Sequence, residues 1–161
     1  MERWTVLTDV EQNEVWDRFF WEFAFRPSVR SIDWPSITTD RGIYKLSISD
    51  LWGNGYDEGI YINFLQKAID AFVDITEPEE LIYALDWQHE CFYIDPRKLT
   101  PDSMIDQQSS IPIVSFIPDG DYYIFITKDF ENTWFGHPWE KTVTVIGDGL
   151  IKAVKARQPF L

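Results

Sequence analysis

The chain uses histidine twice, each time inside a short polar-aromatic cluster: Asp86-Trp87-Gln88-His89-Glu90 and Gly136-His137-Pro138-Trp139-Glu140. An imidazole beside a carboxylate can serve as general base and acid, or offer nitrogen and oxygen to a divalent ion. One site assembled from both clusters would carry His89, Glu90, His137 and Glu140 as its reactive groups. Asp86, Trp87, Asp121 and Trp139 would then line the place of the ligand. The spacing matches no metal signature, since neither a helical His-x-x-x-His nor a cysteine pair exists, so no metal and no cofactor is expected. The structural alternative is a partly buried histidine that bonds backbone at a strand end, with tryptophans packed around it. Pro138 holds His137 extended, which suits a rigid corner as well as a site.

Other candidate chemistry is thinner. Cys91 follows His89 and Glu90, yet a nucleophilic thiolate needs a cationic neighbour and this stretch is acidic, so Cys91 reads as a small buried apolar residue. Pro118-Asp119-Gly120-Asp121 brings two carboxylates two residues apart, a spacing that can hold a divalent cation through oxygen. A tight turn accounts for the same residues. Gly53, Gly55 and Gly59 do not form a G-x-G-x-x-G helix start, and the chain contains neither a G-x-x-x-x-G-K-[ST] loop nor a G-x-S-x-G elbow.

Charge narrows the partners. With 27 acidic against 14 basic residues, the net charge of −13 repels DNA, RNA and anionic lipid and favours a basic protein. From Ala68 to Pro96 there are acids at Asp70, Asp74, Glu77, Glu79, Glu80, Asp86, Glu90 and Asp95, with no Lys or Arg among them. This stretch reads as a solvated face or as a steering patch; for the second role Asp70, Asp74, Glu77, Glu79 and Glu80 are the candidate partner-binding residues. After Asp148 the sign reverses with Lys152, Lys155 and Arg157. No run approaches the ~20 apolar residues of a membrane span. Met1-Glu2-Arg3-Trp4 lacks a signal-peptide layout, and one cysteine precludes an intramolecular disulfide. A cytoplasmic protein is expected, with no membrane and no nucleic acid among its partners.

The elements that must position these residues follow from periodicity. Thr8 and Glu11 have capping-box spacing, and Trp16, Phe19, Phe20 and Phe23 then form one apolar stripe, so a helix runs from Thr8 until Pro27 stops it. Ile43 to Ile48 reads as a strand, closed by the Trp52-Gly53-Asn54-Gly55 turn. From Asp57 to about Asp74, Ile62, Leu65, Ile69, Phe72 and Val73 fit a second amphipathic helix. Leu81 to Trp87 and Cys91 to Ile94 make either one bent strand or a hairpin turning at Gln88 and His89. Ile111 to Ile117 and Tyr122 to Thr127 flank the Pro118-Asp119-Gly120-Asp121 turn as a hairpin, the second strand apolar on both faces and therefore central. Lys141 to Ile146 alternates threonine with valine, one face wet and one packed, and a last helix spans about Asp148 to Arg157. The 95–110 segment is long enough for a lid or binding loop. At 161 residues with 45% apolar content, the expectation is one domain over 1–161. Its class is α+β, an antiparallel β-sheet of about five strands with two to three helices packed mainly on one face.

Leu85-Asp86-Trp87-Gln88-His89-Glu90, Pro118 to Phe125, Phe135 to Glu140 and Ile146-Gly147 also carry a likeness. In that order they resemble an uncharacterised bacterial family, domain of unknown function 2716, and the Trp16 helix with Phe23, Phe25 and Pro27 fits it too. The resemblance spans nearly the whole chain and implies no catalytic residues. By analogy of class, small acidic bacterial proteins include immunity proteins that neutralise a toxin. The sequence thus favours an acidic, non-enzymatic module that binds a basic protein, of immunity or regulatory type. The alternatives are a small-molecule binder or enzyme built on the two histidine clusters, and a chain that dimerises through its aromatic surface.

Overall fold

A computed structural model describes residues 4–51, 57–104 and 113–161. Its strands are β1 (Trp4–Val6), β2 (Ile43–Ser47), β3 (Ile82–Asp86), β4 (Phe92–Ile94), β5 (Tyr123–Thr127), β6 (Thr133–His137) and β7 (Thr142–Ile146). Its helices are α1 (Asp9–Phe23), α2 (Glu58–Ile75) and α3 (Asp148–Lys155). The strands form one antiparallel sheet in the order β1-β4-β3-β5-β6-β7-β2. The class is α+β as expected, but the sheet has seven strands rather than about five. Three-residue β1 is too short to show alternation, and β6 carries a run of Thr, Trp, Phe, Gly and His that no period-two pattern marks.

Each face of the sheet has its own core. On one, Ile82, Ala84, Tyr123, Phe125, Trp134, Val143 and Val145 meet Phe64, Leu65, Ala68, Ile69 and Phe72 of α2 and Leu150 and Val154 of α3. On the other, Leu85, Ile124, Ile126, Phe135 and Ile146 meet Val15, Phe19 and Phe23 of α1. Two helices therefore cover one face and the third covers its reverse.

Local chemistry sets the helix limits. Thr8 Oγ1 accepts from Glu11 N at 3.1 Å while Thr8 N donates to Glu11 Oε1 at 3.0 Å, the reciprocal cap that the spacing predicts. The helix stops at Phe23, short of Pro27, because Ala24 turns left-handed with φ 46°. This returns Phe25 onto the helix, its ring 5.2 Å from Phe20, 5.4 Å from Phe19 and 6.0 Å from Trp16. Phe25 takes the place expected of Phe20, which is exposed, and the buried stripe runs through Val15, Phe19 and Phe23 instead. In α2, Asp57 caps the start through Ile60 N, and Ile62 faces solvent while Phe64 and Ala68 are buried.

One open alternative is resolved and two further expectations change. The 82–94 region is a hairpin, Ile82 opposite Ile94 and Ala84 opposite Phe92. Of the expected 111–117 strand, residues 111 and 112 lie outside the described residues and 113–117 form bends and coil, because β5 is already flanked by β3 and β6 and has no edge left to pair. That segment instead fills the core: Phe116 stacks on Phe125 with centroids 4.0 Å apart, and Trp134 Nε1 donates to the Phe116 carbonyl at 3.1 Å. Thr142 and Thr144 are buried with the whole of β7, which lies inside the sheet between β6 and β2. The Trp52-Gly53-Asn54-Gly55 turn and residues 105–110 of the long loop lie outside the described residues; 96–98 and 101–104 form short 3-10 turns. Among the described residues no helix is long and apolar enough to cross a membrane.

Candidate functional site

Among the described residues, a group of three titratable side chains, Asp86, His89 and Asp121, gathers where β3 leaves the sheet and β5 enters it. Asp86 ends β3 opposite Tyr123, and the Trp87 N–H still donates to the Tyr122 carbonyl at 3.2 Å, which keeps the Asp86 and Asp121 ends of the two strands side by side. The turn then closes through His89 N to the Asp86 carbonyl at 3.2 Å, with Gln88 at φ 71°. That closure lays His89 across both carboxylates: Nδ1 is 3.1 Å from Asp86 Oδ1 and 3.1 Å from Asp121 Oδ2. Asp121 Oδ1 is fixed by its neighbour's backbone, accepting from Tyr122 N at 2.9 Å.

The electrostatics are those of a crowded pair. The Asp86 and Asp121 side chains are only 14% and 19% exposed, whereas His89 is 66% exposed. Burial, then the neighbouring Asp121, pushes the Asp86 carboxyl up to about 7. The hydrogen bond and charge of Asp86 raise His89 above its ordinary value. Asp119, the other acid of the turn, is raised by desolvation and is not part of the group.

His137 belongs to a different and closed network. Its Nδ1 accepts from Glu140 N at 3.0 Å, so the ring proton resides on Nε2, which donates to Ser36 Oγ at 3.0 Å. Ser36 Oγ continues to Tyr122 Oη at 3.2 Å, and Tyr122 Oη donates to the Ser28 carbonyl at 3.2 Å and accepts from Ser28 N at 3.0 Å. Tyr122, Trp34 and Trp139 rings surround the imidazole at 5.0, 5.2 and 6.2 Å. Burial lowers its pKa to about 4 and keeps it neutral. His137 is thus a satisfied corner histidine.

The expected joint site is therefore not assembled as a unit. Of its four reactive candidates, only His89 is in the cluster; Glu90 is exposed, and Glu140 bonds Lys45 Nζ at 3.2 Å. Of the lining residues, Asp86 and Asp121 are in the cluster, while Trp87 and Trp139 pack edge-on to Tyr122 at 5.8 and 5.3 Å. Cys91 is fully buried and its thiol is pushed up to about 11 by that burial, which removes it as a nucleophile.

The acidic patch is partly spoken for. Asp70 accepts from Gln66 at 2.9 Å, Asp74 pairs with Arg157 at 2.6 Å, and Glu80 folds back onto Glu77 N at 3.1 Å. Glu77 and Glu79 are exposed beside the end of α2. There Arg97 caps the helix, donating to the carbonyls of Val73 at 3.0 Å and Glu77 at 2.8 Å and to Thr76 Oγ1 at 3.1 Å. Sequence reasoning did not single out Trp21, which is 87% exposed on α1. Its signal was its place opposite the buried stripe, on one helical line with Val10, Glu14 and Asp17.

The chain is similar over its whole length to a Bacillus subtilis (strain 168) protein named "Uncharacterized protein YxiI", at 28% identity over 163 residues that cover 98% of that relative. No solved structure matches it. Residues 6–151 match the family described as "Protein of unknown function (DUF2716)", a span that holds α1, both histidine motifs and the whole sheet except the first two residues of β1, and the chain belongs to that family.

Proposed function

We propose that this chain is an acidic binding module for a basic protein partner, of immunity or regulatory type. The observation that carries the reading is Trp21. A tryptophan 87% exposed on a regular helix has no role in the core, and its helical neighbours on that line are Val10, itself 66% exposed, and the exposed carboxylates Glu14 and Asp17. A large aromatic anchor rimmed by acids suits a partner surface that offers an apolar pocket among lysines or arginines. Glu77 and Glu79 belong to the far side of the sheet with α2. There they act as part of the long-range field, which raises encounter rates without contact.

The reading is tested by affinity capture from bacterial lysate with three baits, the native chain, Trp21→Ser and the double variant Glu14→Lys/Asp17→Lys. A basic protein retained by the native bait, released at high salt and lost from both variants is the expected result. The same proteins on all three baits, or none on the native one, would overturn it.

A further inference from the structure

We infer that Asp86, His89 and Asp121 form a binding site for a divalent transition-metal ion of the zinc or manganese kind. The inference is independent of the basic-partner reading, since the residues lie at the end of the sheet and not on α1.

Geometry comes first. One ligand atom from each of the three residues lies within 4.8 Å of the other two, and the imidazole nitrogen is 3.1 Å from each carboxylate oxygen. Metal–nitrogen and metal–oxygen bonds of about 2.0–2.2 Å set neighbouring ligand atoms about 3.0–3.5 Å apart around one ion. Both nitrogen–oxygen pairs therefore already stand at the separation of adjacent corners of a coordination shell, with the two carboxylates within 4.8 Å of each other. The hairpin turn fixes His89, and the Tyr122 N–H fixes Asp121, so little reorganisation precedes binding.

Charge balance is an independent reason. Asp86 and Asp121 face each other with most of their side-chain surface withdrawn from water. Protonated His89 brings at most one positive charge against two negative ones, and it does so from an exposed position. A divalent ion neutralises both carboxylates, takes the lone pair of a neutral imidazole and releases the proton that otherwise bridges the group. The mixed nitrogen and oxygen donor set favours zinc or manganese over magnesium or calcium, which take oxygen alone. Three protein ligands leave further coordination positions on the exposed His89 side for water or a small anion.

The test is calorimetric titration of zinc chloride into the full chain after removal of metal with EDTA, repeated with calcium chloride. One zinc per chain is expected, at least tenfold tighter than calcium, and at least tenfold weaker in Asp121→Asn and in His89→Gln. Glu90→Gln should bind as the native chain does. His89 is exposed, so its variant keeps the fold even where Asp121→Asn does not, and circular dichroism checks both. In ring-nitrogen NMR, zinc should move the His89 signals and leave His137 in place. No zinc uptake by the native chain, or uptake undiminished in folded His89→Gln, would sink the assignment.

Discussion

Asp86 and His137 end β3 and β6 at the same end of the sheet, with only β5 between them, and their side chains leave by opposite faces. Asp86 is opposite Tyr123 and Tyr123 is opposite Gly136, so His137 is one residue further along and on the other side of the pleat. Tyr123 belongs to the core under α2, and Phe135, in step with His137, belongs to the core under α1. The sheet itself separates Asp86 from His137, although Trp87 and Trp139 of the two motifs both pack on Tyr122. Proton exchange between Asp86 and His137 would require hydrogen-bond reach that this arrangement denies.

The His137 network makes stability depend on pH in a definite direction. Its folded pKa is about 4 against an ordinary 6.5, so the unfolded chain takes up the proton first as pH falls. Stability is lost between pH 6.5 and 4, by at most about 3 kcal/mol, and this contribution is constant outside that window. Urea unfolding at pH 7 and pH 4.5 reads it. His137→Gln should lose stability at pH 7 yet show a smaller drop between the two pH values; an equal drop would refute the assignment.

Asp86 works with the opposite sign. Its folded pKa of about 7 lies above the ordinary 3.8, so the folded chain holds the proton more tightly, and stability declines as pH rises from 3.8 through 7. In EDTA, Asp86→Asn should be more stable than the native chain at pH 8, with the gap narrowing towards pH 4. A gap that is flat across that range would mean the carboxyl titrates normally.

Gly147 cannot accept a side chain. At φ 109° a Cβ would lie 2.2 Å from the Glu131 carbonyl oxygen and 2.5 Å from Asn132 Oδ1, the atom that accepts from Leu150 N at the start of α3. Gly147→Ala should cost about 2 kcal/mol or more and lower the melting temperature by about 4–8 °C. An unchanged melting temperature would contradict the close approach.

Two aromatic truncations should separate core from surface. Phe116 is fully buried between Phe72, Phe125 and Trp134, with centroids 5.8, 4.0 and 5.4 Å away, and Phe116→Ala should cost about 3–5 kcal/mol. Trp21→Ser should stay within about 0.5 kcal/mol of the native chain in the same denaturation experiment, as befits a side chain that lies outside the core. A large loss in the second variant would place Trp21 in the core.

What the sequence revealed was local. The Thr8–Glu11 cap needs four consecutive positions, and the centrality of β5 follows from its apolar residues on both sides. What it concealed was set by strand neighbours. Asp86, His89 and Asp121 were each visible as candidates, but Asp86 and Asp121 meet only because β3 pairs with β5 across 35 positions of chain. His137 was grouped with His89 because the motifs look alike, whereas parity along β3 and β6 sends Asp86, the partner of His89, and His137 to opposite faces. Phe116 read as strand from its composition, yet β5 had no free edge to offer it. Trp21 was legible as an outward position once Phe19 and Phe23 were taken as inward ones.

The strand order also dictates when the protein can be completed on the ribosome. Both rims of the sheet come from the first third of the chain, yet β1 docks on β4 and β2 docks on β7. Emerging first, these two segments wait longest for their neighbours, and β2 has none until residues 142–146 have been made. The nascent chain therefore carries an unpaired strand from the synthesis of residues 43–47 until that of 142–146, a period of exposure that a low-contact-order helical protein would not face.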